Sequence, residues 1–128
     1  MTLIGVGTDI VEIERIDALL QRQAERFTRR VLHDNELANF AKLIPEKRAA
    51  WLAQRFATKE ALAKALGTGI GQFAQLHDIE TRHDEWGKPQ LVLHGITQDT
   101  ADRLGVVHTA LSLADERHYA VAFVILTG

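Results

Sequence analysis

The chain has 128 residues, a formal net charge of −2 at pH 7 and no cysteine. That length suits one domain over 1–128, large enough to bury a core without staples. The missing cysteines exclude disulfides, thiolate metal sites and a cysteine nucleophile, and the near-neutral balance gives no global case for nucleic acid or an anionic membrane as partner.

The opening MTLIGVGTDIVEIERID has no positive start and carries acids early, unlike a secretory signal. No apolar run reaches the roughly 18 residues that span a bilayer, and the absence of cysteine fits a reducing cytosol, so a cytoplasmic location is expected. Leu3 to Val11 reads as a strand with Ile4, Val6, Thr8 and Ile10 on one face. Leu3, Gly5, Gly7, Asp9 and Val11 fall on the other. Glycine inside a strand marks close approach by another backbone or a ligand. Glu12 to Leu32 reads as a long helix whose inward arc is Ile13, Ile16, Leu20, Ala24, Phe27 and Val31. Asp34 suits the cap of a second helix reaching about Leu43. Pro45 opens a third, which carries Trp51, Leu52, Phe56, Leu62 and Leu66 and stops at Gly67. Asp78 to Arg82 and Gln90 to His94 read as strands around a Gly87-Lys88-Pro89 turn. Ile96 to Leu104 is a short helix stopped by Gly105. Thr109 to Ala114 and Tyr119 to Leu126 are strands joined in a hairpin by Asp115-Glu116-Arg117-His118. The sum is an α+β domain.

Three features suggest chemistry. Asp9 sits in an otherwise apolar strand, where it suits either a helix cap or a site. Glu60 and Lys64 share a helix face at i, i+4, the order that also makes an ordinary surface ion pair. Around them Ala53, Ala57, Ala61 and Ala65 would let the helix lie close to the Gly5/Gly7 face, bringing Asp9 and Glu60 together. Two carboxylates suit Mg²⁺, Lys64 would sit by the same anion, and the Gly67-Thr68-Gly69 loop could turn backbone N–H groups to a phosphate. It is not a P-loop. The third feature is Arg15, Arg22, Arg26, Arg29 and Arg30, which helix periodicity gathers within about 100° of arc with an exposed Leu19. Such a stripe is either a solvated face or the footprint of an acidic partner. The histidines show no zinc spacing, His108 is expected to be structural, and Ser112 has no nucleophile elbow.

Four segments, GVGTDIVEIERI, RFATKEALAKALGTGI, GKPQLVL and LSLADERHYAVAFVI, occur in an order that resembles the holo-[acyl-carrier-protein] synthases. These are the small members of the 4′-phosphopantetheinyl transferase superfamily. The resemblance implies an antiparallel sheet packed on a long helix, and a homotrimer with sites between subunits. It implies Mg²⁺-dependent transfer of 4′-phosphopantetheine from coenzyme A to a serine of apo-acyl carrier protein. Asp9 and Glu60 match the metal-binding pair and Lys64 the lysine one turn on. Glu60, directly or through water, would be the base. By the same resemblance Arg55, Lys64, Gly67, Thr68, Gly69, Lys88 and Pro89 would hold coenzyme A. Arg15, Leu19, Arg22 and Arg26 would meet an acidic carrier helix. One departure stands out. Many relatives place His two residues before the Ser/Thr of the last motif, where this chain has Ala110 and carries His108 instead. The competing readings are a non-catalytic coenzyme A or carrier-binding module, a Mg²⁺-dependent phosphohydrolase and a purely structural trimer.

Overall fold

Gly5 and Gly7 decide how the molecule is assembled. They lie on β1 (Leu3–Glu12), and a long helix, α3 (Pro45–Leu66), rests directly on them. A Cβ added to Gly5 would stand 1.8 Å from the carbonyl oxygen of Ala65, and one on Gly7 would stand 1.8 Å from that of Ala61. The seam is backbone on backbone, as the glycines and alanines led us to expect. Ala57, Ala61 and Ala65 line the helix side, and Ala120 and Ala122 of β5 (Tyr119–Thr127) continue the small surface, all buried.

This computed structural model describes every residue from Met1 to Gly128. Its other elements are α1 (Ile13–Val31), α2 (Asp34–Ala41), a single 3-10 turn (Leu76–Asp78), β2 (Ile79–His83), β3 (Pro89–Leu93), α4 (Gly95–Arg103) and β4 (His108–Asp115). The strands form two antiparallel sheets. One has the order β1-β5-β4; the other is the β2–β3 pair. The β4–β5 hairpin closes with the Glu116 N–H donating to the Tyr119 carbonyl at 2.9 Å. The class is the expected α+β, and no helix is long and apolar enough to cross a membrane.

The core lies between α1, α3 and the inner face of the three-stranded sheet, where Ile16, Leu52, Leu62, Val124 and Leu126 are fully buried. The outer face of that sheet is uncovered. Val6, Thr8 and Ile10 stand opposite Ile125, Phe123 and Val121, which in turn face Ala110, Ser112 and Ala114. Cross-strand partners share a face, so this is one continuous patch, and Ile10 is 62 % exposed within it.

Two expectations from the sequence need correction. The cap of α2 is His33, one residue earlier than Asp34. Its Nδ1 accepts the Asn35 N–H, while Glu36 accepts the His33 N–H, a reciprocal capping box. The long first helix is also broken in phase at Gln23, whose φ of −154° and ψ of 52° are not helical. Helical periodicity counted through that residue drifts. Ala24, expected inward, is exposed, and Thr28, unassigned, is buried and donates to the Ala24 carbonyl.

Candidate active site

The seam sets the spacing of the charged residues beside it. Ala61 and Ala65, the two contact points on α3, immediately follow Glu60 and Lys64 in sequence. The turn between them therefore overhangs the end of β1 that carries Asp9. Lys64 reaches across the seam. Its Nζ donates to Asp9 Oδ1 at 3.0 Å and to the Thr8 carbonyl at 3.0 Å. The Glu60–Lys64 surface pair that the spacing also allowed does not form; Lys64 bonds to the strand instead. Asp9 caps nothing either, because α1 begins at Ile13 with Glu12 at the cap position and no side-chain cap.

Glu60 is half-buried, and burial raises its pKa, with the Asp9 charge raising it further; Lys64 and Arg15 oppose both. Two carboxylates share a small space with one lysine bonded to only one of them. The donor set is all oxygen and brings two carboxylates together, which fits a hard divalent cation such as Mg²⁺. Arg15 belongs to this electrostatic neighbourhood, which the arginine stripe did not foretell.

A measurable consequence concerns stability. The folded-state pKa of Glu60 lies above its unfolded value, so ionising it opposes folding. That penalty is absent below the ordinary carboxylate range and fully present once pH exceeds the raised folded value. In EDTA, Glu60→Gln should raise Tm at pH 7 by on the order of 1 °C, and the difference should vanish in acid. A lower Tm at pH 7 would contradict this electrostatic picture.

The loop after α3 behaves differently from expectation. Gly67 adopts φ 83°, and the N–H groups of Gly67, Thr68 and Gly69 all donate to the last carbonyls of the helix, those of Ala63 and Lys64. All three donors are occupied by the helix end, so none is available to a phosphate. What the loop offers is room, since nothing lies within 4 Å of a Cβ built on Gly67 or Gly69.

The remaining predicted residues lie elsewhere. Arg55 is about 140° round α3 from Glu60. It is buried, with its guanidinium 4.3 Å above the Trp51 ring and its Nε 3.9 Å from Glu36, without a hydrogen-bond partner. Burial lowers its pKa, against the pull of Glu36. Its charge reaches His83, whose pKa falls through burial first and Arg55 second. His83 pairs with Pro89, so Arg55, Lys88 and Pro89 share one end of the molecule. There a cleft of about 350 Å³ runs between Lys88 to Val92 and Val107 to Leu111, with His108 and Ala110 on its wall. That cleft lies beyond β4, and β1 and β4 flank β5, so about 10 Å of sheet separates it from Asp9. Within one chain the predicted site is split in two.

The arginine stripe is shorter than its periodicity implied. The break at Gln23 separates Arg15 and Arg22 from Arg26, Arg29 and Arg30, and Arg29 is paired with Glu25 at 3.0 Å. Leu19, expected to be exposed, is half-buried against the core.

Sequence reasoning missed a buried polar hub. Lys59, fully buried, donates to Glu36 at 2.7 Å and to the Ile79 carbonyl, and Glu36 also accepts the Thr81 N–H at 3.0 Å. Burial lowers the Lys59 pKa and Glu36 opposes it. Neither residue carried a pattern signal: histidine is not among the usual capping-box residues, so Glu36 three positions after His33 did not stand out, and nothing marked Lys59. Next to the hub lies Glu80. Burial would raise its pKa, but hydrogen bonds from Arg82, His94 and Asn35 bring it to about 2.

Comparison with known proteins places this arrangement. Residues 5–124 match the 4′-phosphopantetheinyl transferase superfamily, and the chain belongs to that family. Within it, the chain is 52 % identical over 126 residues to the holo-[acyl-carrier-protein] synthase of Vibrio parahaemolyticus, covering 98 % of each chain. Among solved structures it resembles the holo-[acyl-carrier-protein] synthase of Neisseria meningitidis, with a TM-score of 0.92, 35 % identity and coverage of 99 % of this chain and 100 % of that one. It also resembles the Bacillus anthracis synthase in complex with coenzyme A (3′,5′-ADP), with a TM-score of 0.83, 35 % identity and coverage of 98 % and 97 %.

Proposed function

We propose that this chain transfers 4′-phosphopantetheine from coenzyme A to a serine hydroxyl of apo-acyl carrier protein, releasing adenosine 3′,5′-bisphosphate. The observation that carries this reading is the meeting of Lys64 with Asp9 under the turn bearing Glu60, in a chain so close to holo-[acyl-carrier-protein] synthases. The serine oxygen attacks the β-phosphorus of the pyrophosphate, and the bond to the bridging oxygen breaks. Mg²⁺ held by Asp9 and Glu60 would lend positive charge to the pyrophosphate. Glu60 takes the serine proton, directly or through water, from its place beside Asp9 and Lys64. Lys64 is exposed enough to turn from Asp9 towards the leaving phosphate and stabilise its charge.

Gly67, Thr68 and Gly69 leave space for the pantetheine arm beside Lys64. Arg55, Lys88 and Pro89 bind the nucleotide end from a neighbouring subunit. Two features support a homotrimer: the site is split within one chain, and the outer sheet face is apolar and uncovered. The protein works in the cytoplasm, with no nucleic acid or membrane as partner.

The acidic helix of the carrier docks on Arg15 and Arg22, with Leu19 at the base of the contact and Arg26 reaching it from beyond the break at Gln23. Arg15 also faces Glu60, so Arg22 gives the cleaner test. Arg22→Glu should raise the carrier KM roughly tenfold, leave the coenzyme A KM within about twofold, and flatten the salt dependence of kcat/KM. An effect on coenzyme A instead would remove the docking role.

The reaction itself is tested by the intact mass of apo-acyl carrier protein after incubation with this protein, coenzyme A and Mg²⁺. A gain of one phosphopantetheine, lost in EDTA, is expected. No gain with several carriers would leave a binding module.

A further inference from the structure

We propose that His33, Glu80 and His94 form a second metal site, selective for a borderline divalent ion of the zinc type. They come from three separate segments: the cap of α2, the second residue of β2 and the residue just after β3. Their donor atoms nevertheless all lie within 4.8 Å of one another. His94 Nε2 is 2.9 Å and His33 Nδ1 3.7 Å from the same oxygen, Glu80 Oε1. The two imidazoles are stacked, with centroids 4.1 Å apart and 16° between planes. Two rings brought face to face over one buried carboxylate form a two-nitrogen, one-oxygen set, the composition that zinc-type ions take and Mg²⁺ does not.

The surroundings are those of a held ligand set. Arg82 donates to Glu80 Oε2 at 2.8 Å and, at 3.2 Å, to Oε1, while the Asn35 side chain donates at 3.3 Å and 3.4 Å. A carboxylate has lone pairs enough to keep the Arg82 bond on Oε2 while Oε1 coordinates, and ligating carboxylates are themselves commonly hydrogen-bonded. The His94 N–H of the backbone is fixed to the Asp78 carbonyl at 2.9 Å. His33 Nδ1 now accepts the Asn35 N–H at 3.1 Å, so coordination takes that lone pair from the helix cap. A cleft of about 290 Å³ opens beside the rings, with His77 and Asp78 on its wall, and leaves room for a fourth ligand. The pair Asp9 and Glu60 plays no part in this set.

Co²⁺ is the probe, titrated into the full chain in millimolar Mg²⁺ and followed by its visible d–d absorption. One equivalent should bind with a four-coordinate spectrum, and Asp9→Ala should bind it equally well. Loss of an outer-sphere partner already weakens metal sites by about 10- to 100-fold, so loss of a ligand should weaken this one at least about 100-fold. Two variants test that while sparing the fold. His94→Gln keeps a donor to Glu80, and His33→Asn keeps a good helix cap; both should retain a Tm close to the parent in EDTA. Absence of a Co²⁺ band in the parent, a band that survives both histidine substitutions, or one lost in Asp9→Ala would overturn the proposal.

Discussion

Asp9→Ala should reduce transfer to the carrier by about a thousandfold or more, with the protein still folded. Groups that offset developing charge in a shielded site are worth about 10²–10³ in kcat each, and in the proposed mechanism Asp9 would hold two of them. It is half of the oxygen pair suited to Mg²⁺, and it is the anchor from which Lys64 operates, 3.0 Å away. The fold should tolerate the change. Asp9 caps no helix, and Lys64 keeps its bond to the Thr8 carbonyl. A second signature separates the electrostatic role from a merely structural one. In the metal-free protein the Asp9 charge helps to hold the Glu60 pKa up, so in EDTA the Glu60 carboxyl should titrate at lower pH in the variant. Single-turnover mass spectrometry of the carrier reads the rate, and carboxyl NMR in EDTA reads the titration. A drop of less than about tenfold, or a Glu60 titration that stays in place, would remove Asp9 from the site.

Gly7→Ala should be among the most damaging small substitutions in the chain. The new Cβ would meet the Ala61 carbonyl oxygen at 1.8 Å and the Ala65 nitrogen at 2.8 Å. Both neighbours are main chain within a helix, so neither has a side-chain rotamer to give way. Overpacking an ordinary core costs about 1–3 kcal/mol; this contact belongs at or above the top of that range. A Tm lower by about 10 °C or more is expected, or failure to fold. Any folded fraction should still be a poor enzyme, because lifting α3 from β1 moves Glu60 and Lys64 away from Asp9. Gly71→Ala is the matched control. Its Cβ meets nothing within 4 Å, and its effect should stay within about 0.5 kcal/mol. If the two variants melt together, close packing at the seam is not what Gly7 is for.

The pairing of seam and site was legible in the sequence because it rests on absent side chains. Two glycines two apart on one strand face, and alanines at helical spacing, leave few ways to pack except against each other. The helix periods of α3 and the hairpin at Asp115–His118 could be read for the same local reasons. What escaped depends on non-local or broken geometry. Gln23 carries no proline or glycine to announce a kink, so the arginine stripe was drawn on a helix that does not run straight. Lys59 looks like its exposed neighbour Lys64 in sequence, and only the arrival of Glu36 from α2 makes its burial tolerable. The loop at Gly67 to Gly69 has the composition of a phosphate cradle, yet its donors face backwards into the helix end. Composition reports that a turn is permitted, not which carbonyls its N–H groups find.

The seam between β1 and α3 also separates two properties that proteins usually trade against each other. Where charged groups are spaced by interlocked side chains, any core substitution that loosens packing loosens the site. Here the gap between Asp9 and the Glu60–Lys64 turn is gauged by the contact radii of main-chain atoms at Gly5, Gly7, Ala61 and Ala65. Residues such as Ile16, Leu52 and Leu62 are free to drift among aliphatic alternatives, changing how much heat the molecule withstands without changing the distance at which its chemistry is set. A lineage adapting to a hotter or colder habitat would find the aliphatic core of this architecture forgiving, and its seam rigid at two glycines.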